Sequence, residues 1–587
     1  MQAELKIRPG ILDQILRQLT NPELTSKKTL LIVFFVTLSF NAVVLTYFHN
    51  RFWWPPDEGV YAHIADRVAH GEVLNYDVEE VHTGYLNLFH SLVFRVFGTR
   101  LVSLRYPLAA VSLIESCLIF LILARRGVWA AALGSIGATS LGVIQYLNPT
   151  PNWYCLFLAT LIAYCLSFIS PDRRWRLVLI GFLTGLIFLL RQITGVFVAM
   201  AVLTYFLTEQ TEEATGRDAL LSKGLLGLMW LGSLTYLISS TELGGLVLFG
   251  MWPLAILALA FFYSSANNRQ TIKIVIGLAL GCVIAATPIL VYHLVHGSLW
   301  TFYDDTVLRA LTVSQFSYLK FHHYWEQQLF AIQNIREFGS LLTVANGIYW
   351  VILPLLALIV GIFTTRAFHR QRTWSSIGSL PLIAVFYAQV ALLQQIPIYL
   401  FYSLPLTFAA LVWLFANTSL RRVAVLTVFT VFVTIVSIRY QAAQPIGRTL
   451  AGIIRGDRTE LVPATTLPRA GLWIDPESLR VYTDVVNTIR DQTKAEDTIF
   501  VLPNDPEFYF LSERKNPFRL WNTAIGVRDE NEAALVMNVL RNQPPKIVVI
   551  DPHDRNNTLY SNEMIAYVRR TYRLIKTAGN FEVYLAP

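Results

Sequence analysis

The stretch TLLIVFFVTLSFNAVVLTYF, Thr29–Phe48, is a run of 20 residues without a single charged side chain. About 20 helical residues are needed to cross roughly 30 Å of hydrocarbon, since each residue adds about 1.5 Å of rise. The run therefore predicts a first membrane-spanning helix. Five basic residues precede it between positions 6 and 28, which places the N-terminus on the cytoplasmic side by the positive-inside rule.

The rest of the chain repeats this pattern. Of its 587 residues 54% are hydrophobic and only 15% are charged, a composition that excludes an ordinary soluble protein. Twelve further apolar runs predict a total of about thirteen spans: Leu101–Ala124, Val128–Leu147, Trp153–Ile169, Leu177–Leu190, Ile193–Leu207, Leu225–Ser240, Leu243–Tyr263, Ile274–Val295, Val344–Phe363, Ile377–Leu393, Ile398–Phe415 and Val423–Ile438. The two short runs on either side of Arg191 are also compatible with one kinked helix.

Basic residues fall in every second connection, as the positive-inside rule requires, and the odd number of spans puts the C-terminus outside. The net charge of +8 is thereby explained by topology and gives no reason to expect nucleic-acid binding. All four cysteines lie within predicted spans, so no disulfide framework is expected in the outer regions.

The predicted organisation has three parts. Residues 1–28 form a cytoplasmic arm whose apolar spacing is typical of an amphipathic surface helix, and residues 29–439 form the membrane domain. External loops cover 50–100, with two predicted interfacial helices, and 296–343, with short helices or loop. Residues 440–587 form an external α/β domain in which KIVVID, Lys546–Asp551, is the clearest buried strand.

The first external loop opens with FWWPPDEGVYAHIADRVAHGEV, Phe52–Val73, which places two adjacent acids at the edge of the membrane. One interpretation makes Asp57 the N-cap of a helix that begins at Glu58. The other makes Asp57 a catalytic base, with Glu58 as a first-turn dipole partner or orienting group. The two interpretations are compatible.

This stretch resembles the GT-C family of polytopic glycosyltransferases, in the branch of the protein O-mannosyltransferases and lipid A aminoarabinose transferases. DEGVYAHIA is similar to the Asp-Glu-x-x-Tyr-x-x-x-Ala signature of that branch after the first span. FRVFGTRLVSLRYPLAA, Phe94–Ala110, is similar to its Phe-Gly and Arg-x-Pro motifs, and FLLRQITG and IYLFYSLP resemble later membrane motifs. The chain departs from the family at His82, which Thr83-Gly84 follows where the family often has two prolines.

The resemblance implies an α-helical polytopic membrane enzyme that moves a sugar from a polyprenyl-phosphate carrier to an acceptor hydroxyl on a glycan, lipid or protein, with inversion. Asp57 is the expected base, and cations are expected to hold the phosphate leaving group. The expected substrate-binding residues are Glu58, His82, Arg105, Arg191 and Tyr402. For both arginines the alternative to phosphate binding is that the charged end of the side chain, near a helix end, simply reaches the lipid headgroups.

Asp304-Asp305 in the second external loop supply a possible second carboxylate or oxygen ligands for a divalent cation, although adjacent acids in a loop are usually solvated. No cofactor is certain. His322-His323 lack the spacing of a zinc site.

Two other functions stay open at this point, a polyprenyl-lipid transporter or flippase and a non-catalytic envelope assembly protein. Glu115, inside the second predicted span, and Glu242 favour the transporter slightly. The expected location is the bacterial inner membrane, with the endoplasmic reticulum as the alternative.

Overall fold

The computed structural model describes most of the chain. The described residues are 25–171, 173, 175–209, 216–264, 266–313, 324–336, 341–393, 397–416, 419–440, 460–554 and 556–587. The predicted amphipathic arm lies outside them except for its last few residues, and so does the His322-His323 pair.

Helices dominate the membrane domain, as the apolar runs predict. Among the described residues, nine helices are long and apolar enough to cross a membrane: Lys27–Phe48, Leu101–Ala124, Val128–Gln145, Pro151–Phe168, Leu220–Ser240, Leu243–Tyr263, Asn268–Val295, Thr343–Gln371 and Arg421–Arg439. Four shorter apolar helices accompany them: Trp175–Leu190, Gln192–Thr208, Ser379–Leu392 and Leu404–Phe415. The chain is thus a multi-pass membrane protein. The number of thirteen spans stays a prediction, since the four short helices fall below the length that crosses a bilayer upright.

The helices on either side of Arg191 form an antiparallel hairpin. A Cβ built on Gly195 would lie 2.4 Å from the Cα of Phe188, and Arg176 at the far end donates to the Tyr205 hydroxyl at 3.4 Å. Arg191 itself is extended, with φ −156° and ψ 106°. The alternative of a single kinked helix is therefore wrong.

Both loops between spans contain the helices expected of them. In the first loop the helices are Pro55–Ala69 and Tyr85–Phe97. In the second loop the described helical segments are Leu299–Tyr303, Asp304–Arg309, Ala310–Val313 and Tyr324–Arg336.

The C-terminal region is a small α/β domain. Two short strands, β1 (Val462–Pro463) and β2 (Trp473–Ile474), pair antiparallel, and four more form a sheet in the order β3-β4-β6-β5. These four strands are β3 (Ile499–Leu502), β4 (Ile547–Ile550), β5 (Arg573–Ala578) and β6 (Phe581–Leu585). The helices are Pro476–Gln492, Glu507–Ser512, Thr523–Gly526, Glu530–Asn542 and Leu559–Thr571. Strand β4 confirms the buried strand predicted at Lys546–Asp551.

This domain packs directly on the Pro55–Ala69 helix. Trp53, Ala62 and Ala65 share one buried apolar cluster with residues of the C-terminal domain such as Val485 and Phe508. Backbone hydrogen bonds extend the contact, because the Trp473 amide donates to the Asn50 carbonyl at 2.7 Å and the Phe52 amide donates to the Trp473 carbonyl at 2.8 Å. The segment that carries Asp57 is thus held between the membrane helices and the C-terminal domain.

Candidate active site

Asp57 lies in the first turn of the Pro55–Ala69 helix. The helix begins at Pro55 with Trp54 as its N-cap, and no side chain caps it there. Asp57 is therefore not the N-cap, and that interpretation is wrong. Glu58 instead accepts the Trp54 backbone amide at 3.1 Å, while the Asp57 side chain is exposed. An exposed carboxylate at a fixed helical position is available for chemistry.

Two side chains from another part of the fold hold the Asp57 carboxylate. The Tyr146 hydroxyl donates to its Oδ2 in a short hydrogen bond, and the Asn148 amide donates to the same oxygen at 3.2 Å. Asn148 also donates to the Tyr146 hydroxyl at 2.8 Å, so the three side chains form a closed triangle. Hydrogen bonds to a charged acceptor are about twice as strong as neutral ones, which fixes the orientation of the carboxylate.

An aromatic cluster connects this triangle to the Arg191 turn. Tyr402 is almost fully buried, and its ring packs edge-on against Tyr146 at 6.0 Å and Tyr399 at 5.3 Å between centroids. Its hydroxyl accepts a hydrogen bond from Thr150 at 3.3 Å. Tyr402 therefore connects the hydrogen-bond partner of Asp57, Tyr146, to that of Arg191, Tyr399.

Arg191 is held in the open turn between its two helices. Its guanidinium donates to the Asn152 side-chain oxygen in a short hydrogen bond and to the Tyr399 hydroxyl at 3.3 Å, and it lies 5.1 Å from the centre of the Tyr399 ring. These are neutral partners, and no described carboxylate forms an ion pair with Arg191. The positive charge is positioned but not neutralised, as an anion-binding residue requires.

Arg105 is placed differently from Arg191. It is fully buried, its Nε donates to Glu58 at 2.7 Å, and its other nitrogens donate to the backbone carbonyls of His49, Arg51 and Phe52 at 2.7–3.3 Å. Burial raises the pKa of Glu58, and the Arg105 guanidinium offsets part of that rise. With four hydrogen bonds from its five N–H groups made to the protein, Arg105 positions the chain just before Asp57 and is poorly placed to bind phosphate.

His82 joins the site through Glu80. The buried Glu80 carboxylate accepts the His82 backbone amide at 2.8 Å, lies 3.0 Å from His82 Nδ1, and accepts a short bond from Asn87. Burial raises the pKa of Glu80, but the hydrogen bonds from His82 and Asn87 lower it more, and the net shift is downward. The neighbouring Thr83 donates to the Leu189 carbonyl, which brings this loop beside the Arg191 turn.

Asp304 and Asp305 lie in a network of ion pairs with the C-terminal domain. Asp305 is buried and pairs with Arg519 at 2.6 Å and Arg309 at 3.4 Å, and Asp304 pairs with Arg528 at 3.4 Å. Burial raises the pKa of Asp305 while these arginines lower it. Because three guanidiniums already face the two carboxylates, this placement disfavours both a second catalytic carboxylate and a cation site here.

The sequence did not reveal Tyr146, Asn148, Asn152 or Glu80. The first three lie within YLNPTPN, Tyr146–Asn152, a break between apolar runs that is typical of a loop. Polar side chains concentrated in such a break near a membrane surface were the signal that could have drawn attention to them.

A comparison with protein families matches residues 82–219 to dolichyl-phosphate-mannose-protein mannosyltransferase. This match supports a glycosyltransferase, as the resemblance implied, over a transporter or a non-catalytic assembly protein. The matched segment contains His82, Arg105, Tyr146 and Arg191, whereas Asp57 lies before it.

Solved structures give further similarities. ArnT from Cupriavidus metallidurans bound to undecaprenyl phosphate is 13% identical with a TM-score of 0.38, over 95% of this chain and 96% of that one. The Archaeoglobus fulgidus oligosaccharyltransferase in complex with Zn and sulfate is 14% identical with a TM-score of 0.42, over 88% of this chain and 68% of that one. No match was found among curated proteins.

Proposed function

We propose that the chain transfers a sugar from a polyprenyl-phosphate carrier to an acceptor hydroxyl, with Asp57 as the general base. The observation that carries the proposal is the exposed Asp57 carboxylate, held by Tyr146 and Asn148 and linked through Tyr402 and Tyr399 to Arg191. This reaction requires a general base and a positive group that binds the phosphate. The Asp57 carboxylate and the Arg191 guanidinium are connected by packed side chains and match these two requirements.

The proposed reaction is a single displacement. The acceptor oxygen attacks the anomeric carbon while its proton passes to Asp57, and the bond from that carbon to the phosphate oxygen breaks. Its electron pair leaves on the polyprenyl phosphate, where Arg191 stabilises the developing charge. Attack opposite the leaving group inverts the anomeric configuration, and no general acid is required because the phosphate leaves as a stable anion.

The proposal also includes the side of the membrane on which the site lies. The Asp57 segment and the C-terminal domain lie together, and the basic connections predict that this side faces away from the cytoplasm. We place the site at the outer leaflet of a bacterial inner membrane, with His82 and Glu80 at the edge of the acceptor path. The acceptor is a glycan, a lipid or a protein that carries a free hydroxyl.

The test is Asp57→Asn in the full chain reconstituted in liposomes. A panel of undecaprenyl-phosphate sugars serves as the donor, and release of undecaprenyl phosphate is measured. We expect the variant to lose about 10²–10⁴-fold in rate, the contribution of a positioned general base. Binding of undecaprenyl phosphate should be retained, since the amide occupies the same space.

Asp491→Asn, an exposed acid in the C-terminal domain, is the matched control and should leave the rate unchanged. An Asp57→Asn variant that still transfers sugar at the wild-type rate would show that Asp57 is not the base.

A further inference from the structure

Two neighbouring strands of the C-terminal sheet end in acidic residues. β3 and β4 run parallel with Leu502 opposite Ile550, so their carboxyl ends lie at the same edge of the sheet. Asp551 follows β4 directly, and Asp505 lies three residues beyond β3. Ligands of open α/β sheets bind at this edge, because the loops after adjacent parallel strands converge there.

Three carboxylates meet at this edge. One oxygen atom from each of Asp505, Asp551 and Asp554 lies within 4.8 Å of the other two. Asp505 is 4% exposed, so at least one of the three carboxylates has been removed from water. Bringing like charges this close is unfavourable unless a carboxyl group is protonated or a positive charge lies among them.

A second observation comes from the oxygens that the protein leaves unbonded. Asp505 Oδ2 is buried without a hydrogen-bond partner among the described residues, and so is Oε2 of Glu507, which is 0% exposed. The other oxygen of Glu507 accepts the Tyr482 hydroxyl at 2.9 Å. Within the described chain neither acid forms an ion pair with a lysine or arginine. Buried carboxylates are ordinarily paired or bound to a metal, so these two point to a ligand.

We propose that Asp505, Asp551 and Asp554 bind a hard divalent cation, Ca²⁺ in preference to Mg²⁺, with Glu507 as an adjacent carboxylate. Oxygen is the only donor type in the cluster, which suits these ions and not zinc or copper. Three protein carboxylates suit Ca²⁺ better, since Mg²⁺ usually retains several waters.

The segment that carries Asp505 and Glu507 contacts the helix that carries Asp57. A Cβ built on Gly59 would lie 2.5 Å from the backbone nitrogen of Glu507, so the two chain segments are in direct contact. A cation held by Asp505 and its neighbours therefore fixes the start of the Glu507–Ser512 helix against the Pro55–Ala69 helix. Its predicted role is to stabilise the contact between the C-terminal domain and the first external loop.

The experiment measures Ca²⁺ binding to the full chain in detergent after removal of metals with a chelator. We expect one high-affinity Ca²⁺ per chain, a rise in the thermal unfolding midpoint on adding Ca²⁺, and a smaller rise with Mg²⁺. A chain that binds no Ca²⁺, or whose midpoint does not respond, overturns the proposal.

Variants then locate the ion. Asp551→Asn should weaken Ca²⁺ binding by more than about 100-fold, since loss of even an outer-shell partner costs about 10–100-fold. Asp505→Asn should raise the midpoint in chelator, because a like charge is removed, and should abolish the rise with Ca²⁺. Asp491→Asn is the matched control and should behave as wild type. Equal Ca²⁺ binding by wild type and both cluster variants would place any bound ion elsewhere and refute this site.

Discussion

Gly59, inside the DEGVY motif, provides the sharpest test of how the Pro55–Ala69 helix is held. An ideal Cβ at this position would lie 2.5 Å from the backbone nitrogen of Glu507 and 2.7 Å from its Cα. These are backbone atoms at the start of a helix and cannot move aside as the end of a side chain does. Gly59→Ala must therefore push the Pro55–Ala69 helix and the C-terminal domain apart.

Two effects oppose each other in this substitution. Alanine is favoured over glycine inside a helix by about 1 kcal/mol, which stabilises the variant. Overpacking a fitted contact costs about 1–3 kcal/mol, and an overlap of this size with backbone belongs in the upper part of that range. The net expectation is a loss of about 1–2 kcal/mol in the free energy of unfolding.

The same displacement moves Asp57 relative to Tyr146 and Arg191. A misplacement of about 1 Å can reduce an enzymatic rate by about 100-fold, so sugar transfer should fall by one to two orders of magnitude. Thermal unfolding in detergent and sugar transfer in liposomes measure the two effects.

Gly232→Ala is the matched control, because Gly232 also lies inside a helix and a Cβ there would have no neighbour within 4 Å. It should be at least as stable as wild type and fully active. If Gly59→Ala behaves like Gly232→Ala in both measurements, the close contact with Glu507 does not position the site.

Three further outcomes test the other roles. Arg191→Gln should lower kcat/KM for the lipid donor by about 10–150-fold, the equivalent of one charged hydrogen bond of about 1.5–3 kcal/mol, with little change in the thermal midpoint. Arg105→Lys should lower the free energy of unfolding by about 3 kcal/mol, because one ammonium cannot reach Glu58 and three carbonyls at once, and an unchanged midpoint would contradict this. Glu79 is buried 2.6 Å from the Arg309 guanidinium, and burial, which that arginine offsets only in part, raises the pKa of Glu79 from 4.5 to about 7. Its protonated form therefore stabilises the fold below pH 4.5, and that contribution is lost as the pH rises through 7. Glu79→Gln should therefore gain stability over wild type as the pH rises, and a difference that does not vary with pH would contradict the shift.

The sequence was sufficient for the membrane helices because their signal is local. Each apolar run carries its own length and hydropathy, so even the hairpin at Arg191 could be anticipated as two short runs. Strand β4 of the C-terminal domain was visible for the same reason, since IVVI is a short apolar stretch between turns.

The candidate site could be predicted only in part, because the residues that form hydrogen bonds with one another there are far apart in the sequence. Asp57 was identifiable from its motif, but its hydrogen bonds to Tyr146 and Asn148 join positions 89 and 91 residues apart. Arg105 and Arg191 looked alike near the ends of their spans, and only the fold shows that the first is fully buried and bonded. Asp304 and Asp305 looked solvated, because their arginine partners belong to the C-terminal domain.

The contacts of Asn50 and Phe52 with Trp473 also determine when, during synthesis, the Pro55–Ala69 helix reaches its final position. Asp66 near the end of the Pro55–Ala69 helix binds Arg469, which is 403 positions later in the chain. The ribosome thus completes the described membrane helices before these partners of the Pro55–Ala69 helix exist. In the proposed enzyme, a polypeptide truncated by a premature stop codon before the C-terminal domain would insert its membrane helices but leave Asp57 unpositioned. The proposed activity is therefore acquired only with the last fifth of the polypeptide.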